Sequence, residues 1–239
     1  MNDLTVVIPV YKEHQDVVQG VYFRMASLGC HVIIVNDGST VSLGPEINAL
    51  EYYPHMGYGY ALKKGIEAAK TPFVCTMDGD GQHRPEDVEN LYKTFKNLRE
   101  SGIDIKMLVG SRHNLEEKMI RRYGRKVLNF IATLSSNHYL QDLNSGLRMF
   151  ERDLAVKYFP IVCDEFSFTT SLTMSIVTDN HLMGYLPIQV KDRPFGKSHV
   201  RVMKHGLITL YYILKIGFAL RTRKIRAWIR SFFTASPSM

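Results

Sequence analysis

Cysteine is scarce in this 239-residue chain: Cys30, Cys75 and Cys163 stand singly, with no CxxC and no paired Cys/His spacing. So small and scattered a set excludes a disulfide framework and a structural zinc site, and it implies a reducing compartment. Long apolar runs are missing too. The most hydrophobic stretch, Gly206 to Leu220, is interrupted by Lys215. As a helix it would reach about 22 Å, short of the ~30 Å hydrocarbon core, so it is expected to lie on a membrane or pack on the domain rather than cross. No secretory leader is legible, because Leu4 to Val10 is short, lacks a basic flank and runs into Tyr11-Lys12-Glu13. Internal repeats and low-complexity tracts are absent.

Acid is nearly missing from the C-terminal end. From Lys191 onward there are eleven basic residues and one acid, Asp192, a charge of +10, whereas the preceding 190 residues hold 19 basic and 22 acidic residues, or −3. The net charge of +7 is therefore a sum of opposites. Such a tail suits an acidic partner, either nucleic acid or anionic lipid. It carries no recognised nucleic-acid motif, and its aromatics sit in an apolar run, which favours lipid. Leu207, Leu210, Tyr211, Leu214 and Phe218 recur at helical spacing before Arg221, Arg223, Lys224, Arg226 and Arg230, the pattern of an interfacial anchor. A helix completing the core is the plainer alternative.

The remainder reads as a globular α/β core. Leu4 to Val10, His31 to Asp37, Phe73 to Met77 and Met107 to Val109 are apolar runs rich in β-branched residues, each ending in polar residues. That is how strands buried on both faces of a parallel sheet read, with ligands expected at their carboxyl ends. A helix after the third run is signed by Pro85, then Glu86 and Asp87, with Val88, Leu91, Phe95 and Leu98 on one face. Gly57-Tyr58-Gly59 fails as a dinucleotide fingerprint and reads as a loop and helix start.

Chemistry concentrates in Asp78-Gly79-Asp80-Gly81-Gln82-His83. Two carboxylates one residue apart at a strand end can hold a hard cation together with a diphosphate, although Asp-Gly pairs also serve as simple turns. Asp37 in Val35-Asn36-Asp37-Gly38-Ser39-Thr40 could meet a base or ribose, or merely cap a turn. Tyr11 and Glu13 could stack on and hydrogen-bond a nucleobase.

In this order and spacing these segments resemble the family 2 glycosyltransferases. Val7-Ile8-Pro9-Val10-Tyr11-Lys12-Glu13 carries the opening pattern, Val35-Asn36-Asp37-Gly38-Ser39 the second strand end, and Asp78-Gly79-Asp80 the DxD motif. Asp80 to Pro85, Gly110-Ser111-Arg112, Asp142 to Phe150 and Arg193 to Ser198 narrow the resemblance to the branch of dolichyl-phosphate mannose synthase and bacterial polyprenyl-phosphate glycosyltransferases. It implies a GT-A fold, a Rossmann-like nucleotide-diphospho-sugar transferase domain with a mostly parallel central sheet, over residues 1–200. A basic amphipathic helical tail would follow at 201–239.

The same resemblance implies an inverting, metal-dependent hexosyltransferase acting from a GDP-mannose or UDP-glucose type donor to a polyprenyl or dolichyl phosphate. Pro9, Tyr11, Glu13, Asp37, Asp78 and Gly79 would bind the nucleotide sugar. Asp78, Asp80 and Gln82 would hold Mg2+ or Mn2+, and Arg193 and Lys197 would join Arg112 on phosphates. Asp80 and Arg112 stand as the catalytic pair, while Arg122, Arg125 and Ser145 are candidates for the acceptor phosphate. Asp164 and Glu165 are candidates for a general base, with a capping role favoured. The expected location is cytoplasmic, peripheral on the cytoplasmic face of a membrane, with an anionic membrane surface as partner, no nucleic acid, and room for a homo-oligomer or a membrane-subunit partner. A same-family enzyme acting on a saccharide or protein hydroxyl is the alternative, and an inactive nucleotide-binding scaffold is the remote one.

Overall fold

The computed structural model describes residues 1–39, 43–112, 119–191 and 202–234, with the side chains of residues 120, 121, 202, 221 and 223–234 outside the description. The elements in chain order are β1 (Leu4–Val10), α1 (Gln15–Ala26), β2 (His31–Asp37), β3 (Ala49–Tyr52), α2 (Tyr58–Ala68), β4 (Phe73–Thr76), α3 (Pro85–Glu100), β5 (Ile105–Arg112), α4 (Met119–Ser136), β6 (Arg148–Glu151), α5 (Arg152–Tyr158), α6 (Phe168–Thr178), β7 (Leu182–Ile188) and α7 (Val202–Thr234).

Seven strands form one sheet in the order β3-β2-β1-β4-β6-β5-β7. β6 runs antiparallel to β4 and β5, and the remaining pairs are parallel. The carboxyl ends of the six parallel strands and the amino end of β6 therefore share one edge. Three strands go beyond the four that the apolar runs predict. β3 and β6 are four residues each, and β7 lies at an edge and contains Gly184 and Pro187, residues that edge positions tolerate.

Alternation explains why the apolar runs are continuous. Val6, Ile8 and Val10 pack with Val18 and Met25 of α1 and with Leu91 and Phe95 of α3. Val7, Ile33 and Val35 face the other way, onto Ala61, Leu62 and Ile66 of α2 and Phe168 and Leu172 of α6. Strand side chains alternate with period two, so only a strand covered on both faces needs apolar residues at every position. Each such side chain contributes about 1.5–3 kcal/mol of burial.

Helix α2 approaches the sheet at Gly65, where a Cβ would lie 2.3 Å from Val7 Cγ1 and 2.9 Å from Val35 Cγ2. Both neighbours are buried and β-branched, so they cannot yield cheaply. Gly65→Ala is expected to lower stability by about 1–3 kcal/mol in urea unfolding, despite the better helix propensity of alanine. An unchanged midpoint would show that α2 slides freely on β1 and β2.

A third cluster lies away from the sheet, where Ile213, Ile216 and Leu220 of α7 meet Ala132 of α4 and Met174 and Val177 of α6. The first half of α7 is thus a core helix on one face. Its other face, with Leu207, Tyr211, Leu214 and Phe218, is exposed.

Candidate active site

The shared edge gathers the polar strand ends. β1 leads into Tyr11 and Glu13, both half-buried, while Pro9 lies buried within the strand. Tyr11 stacks on His55, with ring centroids 3.8 Å apart and planes 16° from parallel. Lys12 adopts φ 58° and places Nζ 5.0 Å from the Tyr11 ring centroid.

Asp37, the last residue of β2, is almost fully buried. The backbone N–H of Met56 donates to its Oδ1 at 2.7 Å and that of Gly57 to its Oδ2 at 2.9 Å, while His55 Nδ1 lies 2.8 Å from Oδ2. This carboxylate organises the loop before α2, 19 and 20 residues further along the chain.

At the end of β4, Asp78 accepts a hydrogen bond from the Tyr58 hydroxyl at 2.9 Å and faces His83 Nε2 at 3.6 Å. Burial opposes its ionisation, but His83, Tyr58 and the charge of Arg112 outweigh burial and hold the carboxyl below the usual range. Asp80 is buried and accepts from the Gln82 backbone N–H at 3.1 Å, so the motif is both a turn and a carboxylate pair. The side-chain amide of Gln82 donates to the Lys191 carbonyl at 2.9 Å. Among the described residues no three His, Cys, Asp or Glu side chains converge on a cage. Asp78, Asp80 and the Gln82 amide lie within five residues of one another and offer only oxygen donors, the chemistry that a hard cation takes.

Across β6, the end of β5 presents Arg112. Its guanidinium forks onto Asp142, with Nε donating to Oδ2 at 2.9 Å and Nη2 to Oδ1 at 2.8 Å. Asp142 is buried; that burial is outweighed by Arg112, which keeps the carboxyl below its ordinary range. The loop behind this pair is moulded around Arg148, a fully buried cation at the start of β6. Arg148 donates to the carbonyls of Ser145, Leu143 and Asp142 and to the Thr173 hydroxyl of α6. Burial lowers its pKa to about 10, so it remains charged at neutral pH.

The other sequence candidates spread outward. Arg122 is exposed and Arg125 half-buried on α4. Ser145 is completely buried, with its hydroxyl unpartnered inside the loop around Arg148, so an acceptor phosphate would meet Arg112 before it. Asp164 pairs with Lys63 at 2.6 Å, and its carbonyl accepts from the Tyr60 N–H at 2.7 Å. Arg193 and Lys197 lie outside the described residues. Sequence reasoning gave no individual role to His55, Tyr58, His83 or Asp142. Their signal is proximity in space to Asp37, Asp78 and Arg112, at which the Asp142 to Phe150 motif and the Gly57-Tyr58-Gly59 loop only hinted.

Comparison with known proteins bears on the family and the fold. The model of glycosyl transferase family 2 matches residues 5–159. A dolichyl-phosphate beta-glucosyltransferase of Trichomonas vaginalis is 30% identical over 145 residues, 54% of this chain and 43% of that one. An undecaprenyl-phosphate 4-deoxy-4-formamido-L-arabinose transferase of Photorhabdus laumondii is 26% identical over 232 residues, 88% of this chain and 66% of that one. The chain thus spans less than two thirds of either relative. Among solved structures, glucosyl-3-phosphoglycerate synthase from Mycobacterium tuberculosis, in complex with Mn2+, uridine diphosphate and phosphoglyceric acid, superposes with a TM-score of 0.71 at 13% identity, covering 90% of this chain and 78% of that one. The fold is GT-A.

Proposed function

Because the chain belongs to glycosyl transferase family 2 and is a glycosyltransferase by that membership, we propose that it moves a hexose from a nucleoside diphosphate sugar to a polyprenyl phosphate, with inversion. The observation that carries the choice of acceptor is the set of exposed large apolar side chains on α4 and α7. On α4, Phe130 and Leu134 are 69% and 70% exposed, and on the adjoining α7 Leu207 and Phe218 are 67% and 73% exposed. Soluble proteins seldom leave such contiguous apolar area to water. Arg112 precedes α4 in the chain, Asp142 follows it, and the two are paired, which supports Arg112 as the contact for the lipid phosphate.

The chemistry follows from charge. A phosphate monoester acceptor is largely dianionic at pH 7, since its second pKa is near 6, and it attacks the anomeric carbon without a strong general base. Accordingly, the reading asks for none, and Asp164 is left to Lys63. Arg112, held flat by Asp142, presents a guanidinium edge to phosphate oxygens. Asp78, Asp80 and Gln82 would hold Mg2+ or Mn2+. When bound, the metal neutralises the departing diphosphate. The chain itself contributes positioning, which brings two anions together that would otherwise repel.

The test is direct. Purified protein is incubated with dolichyl or undecaprenyl phosphate, Mn2+ or Mg2+ and labelled GDP-mannose, UDP-glucose and related donors. A lipid-linked sugar is the expected product. Failure with every donor, or transfer to a free saccharide hydroxyl instead, refutes the proposal.

No helix among the described residues is long and apolar enough to cross a membrane. The exposed face of α4 and α7, together with the basic C-terminal sequence, supports attachment to an anionic leaflet. Phe130→Glu with Leu134→Glu is expected to weaken sedimentation with vesicles containing a third anionic lipid by at least about tenfold, while a short, water-soluble prenyl phosphate is still glycosylated. Equal sedimentation of the double variant would show that α4 does not meet the bilayer.

A further inference from the structure

The segment from Cys163 to Ser167, between α5 and α6, is held by two helices at once. From the start of α2, the Tyr60 N–H donates to the Asp164 carbonyl at 2.7 Å and Lys63 Nζ pairs with the Asp164 carboxylate at 2.6 Å. Gly57 lies so close that a Cβ there would sit 2.9 Å from the same carbonyl oxygen. From α7, the Thr209 hydroxyl meets that of Ser167 at 2.8 Å, and both side chains are buried. The segment therefore ties the position of α7 to that of α2.

Three rings cross this junction. Phe166 stacks on His205, in the first turn of α7, with centroids 4.8 Å apart and planes 15° from parallel. It also meets Tyr58, the first residue of α2, at 6.5 Å and a tilt of 42°. Both separations are ones at which aromatic rings attract. Tyr58 then donates its hydroxyl to Asp78 Oδ1 at 2.9 Å. The phenol oxygen is fixed to its ring, so whatever places the ring places the donor. The rest of the Asp78 carboxylate is closely confined, with His83 Nε2 at 3.6 Å from Oδ2 and Gly146 so near that a Cβ would lie 2.5 Å from either oxygen. A hydrogen bond to an ionised carboxylate is about twice as strong as one between neutral groups, which makes the Tyr58 hydroxyl a firm hold on the orientation of Asp78.

We infer that Tyr58 is a positioning residue for Asp78, and that His205, acting through Phe166, holds Tyr58 in place, so that α7 forms part of the donor site. This rests on the nucleotide-sugar reading above, in which Asp78 binds the donor. It gives α7 a duty besides packing on α4 and α6 and exposing an apolar face.

Three substitutions test the relay. Tyr58→Phe keeps the ring against Phe166 and removes only the donor. His205→Leu keeps the bulk on α7 and removes the stacked ring, and His205→Phe restores a ring. Calorimetric titration with UDP and GDP, each with Mn2+, is expected to show that Tyr58→Phe binds the preferred nucleotide about tenfold or more weakly, while the ligand-free protein melts within about 2 °C of the wild type. His205→Leu weakens binding by at least about threefold, and His205→Phe stays within about twofold of the wild type. The double variant Tyr58→Phe with His205→Leu binds within about twofold of Tyr58→Phe alone, because a residue that acts through another has nothing left to act on. In turnover, Tyr58→Phe raises the donor KM by a factor like its loss of binding and leaves that for the lipid phosphate within about twofold. Wild-type nucleotide affinity in Tyr58→Phe overturns the inference and leaves the nucleotide-sugar reading standing, and so does an equal effect of His205→Leu in both backgrounds. A wild-type protein that binds neither nucleotide overturns both. The expected losses of binding, without sugar transfer to any lipid phosphate, would refute the proposed acceptor and support the relay.

Discussion

Asp80→Asn is expected to reduce sugar transfer by at least a factor of about one hundred at saturating donor, with Tm close to that of the wild type. The isostere is informative because it separates the duty Asp80 has in the fold from the one the proposed function gives it at a metal. Asp80 Oδ1 accepts the Gln82 backbone N–H at 3.1 Å, and an asparagine oxygen accepts the same bond. Only the charge is lost. A turn residue would tolerate that loss, whereas a carboxylate facing a cation and a diphosphate would not. Rates measured across a Mn2+ titration should fall at every concentration and saturate later. If transfer by Asp80→Asn equals that of the wild type, the carboxylate pair is a turn and nothing more.

The second large effect is on stability. Asp142→Asn removes the buried carboxylate of a bidentate ion pair and takes its charge away from the Arg112 guanidinium. Breaking one side of such a pair costs about 3–5 kcal/mol, which in a chain of this length is about 10 °C in Tm. The pH dependence follows from the direction of the shift. Asp142 is held below its ordinary value when folded, so the contribution of the pair is fully present above the unfolded carboxyl pKa of about 3.9 and is lost as pH falls through the lower folded value. The difference in Tm between wild type and Asp142→Asn should be constant from about pH 5 to pH 8 and shrink below about pH 4. Identical melting at pH 7 would mean that water already compensates Arg112.

How much of this was legible before folding varies with the range of the interaction. β1, β2, β4 and β5 announce themselves because burial on both faces writes a continuous apolar run into the chain. β6 does not, because its four residues include Arg148, a cation that is buried only because four acceptors wrap around it. The DxD carboxylates and the polar end of β2 are local in sequence and were read as sites. Their partners are not local: Tyr58 comes from α2 to Asp78, His55 from beyond β3 to Asp37, and Asp142 from beyond α4 to Arg112. No spacing rule links these pairs, since each depends on strand order. The C-terminal helix shows the same limit in another form. Helical spacing placed Leu207, Leu210, Tyr211, Leu214 and Phe218 together, but periodicity alone does not say whether such a stripe faces protein or solvent. Packing answers with Ile213, Ile216 and Leu220 inward and most of the stripe outward.

The reversed strand β6 carries a consequence for how such an enzyme can diversify. The chain leaves the sheet after Arg112 and re-enters at Arg148, and both points lie on the same edge because β6 runs against its neighbours. Everything between, α4 included, is a detour whose two feet are clasped by Arg112 and Asp142. Lengthening a detour that is already closed costs little, since the entropy of closure grows only with the logarithm of its length. The part of the chain between Arg112 and Arg148 can thus be exchanged as a cassette, while the strand ends keep their register.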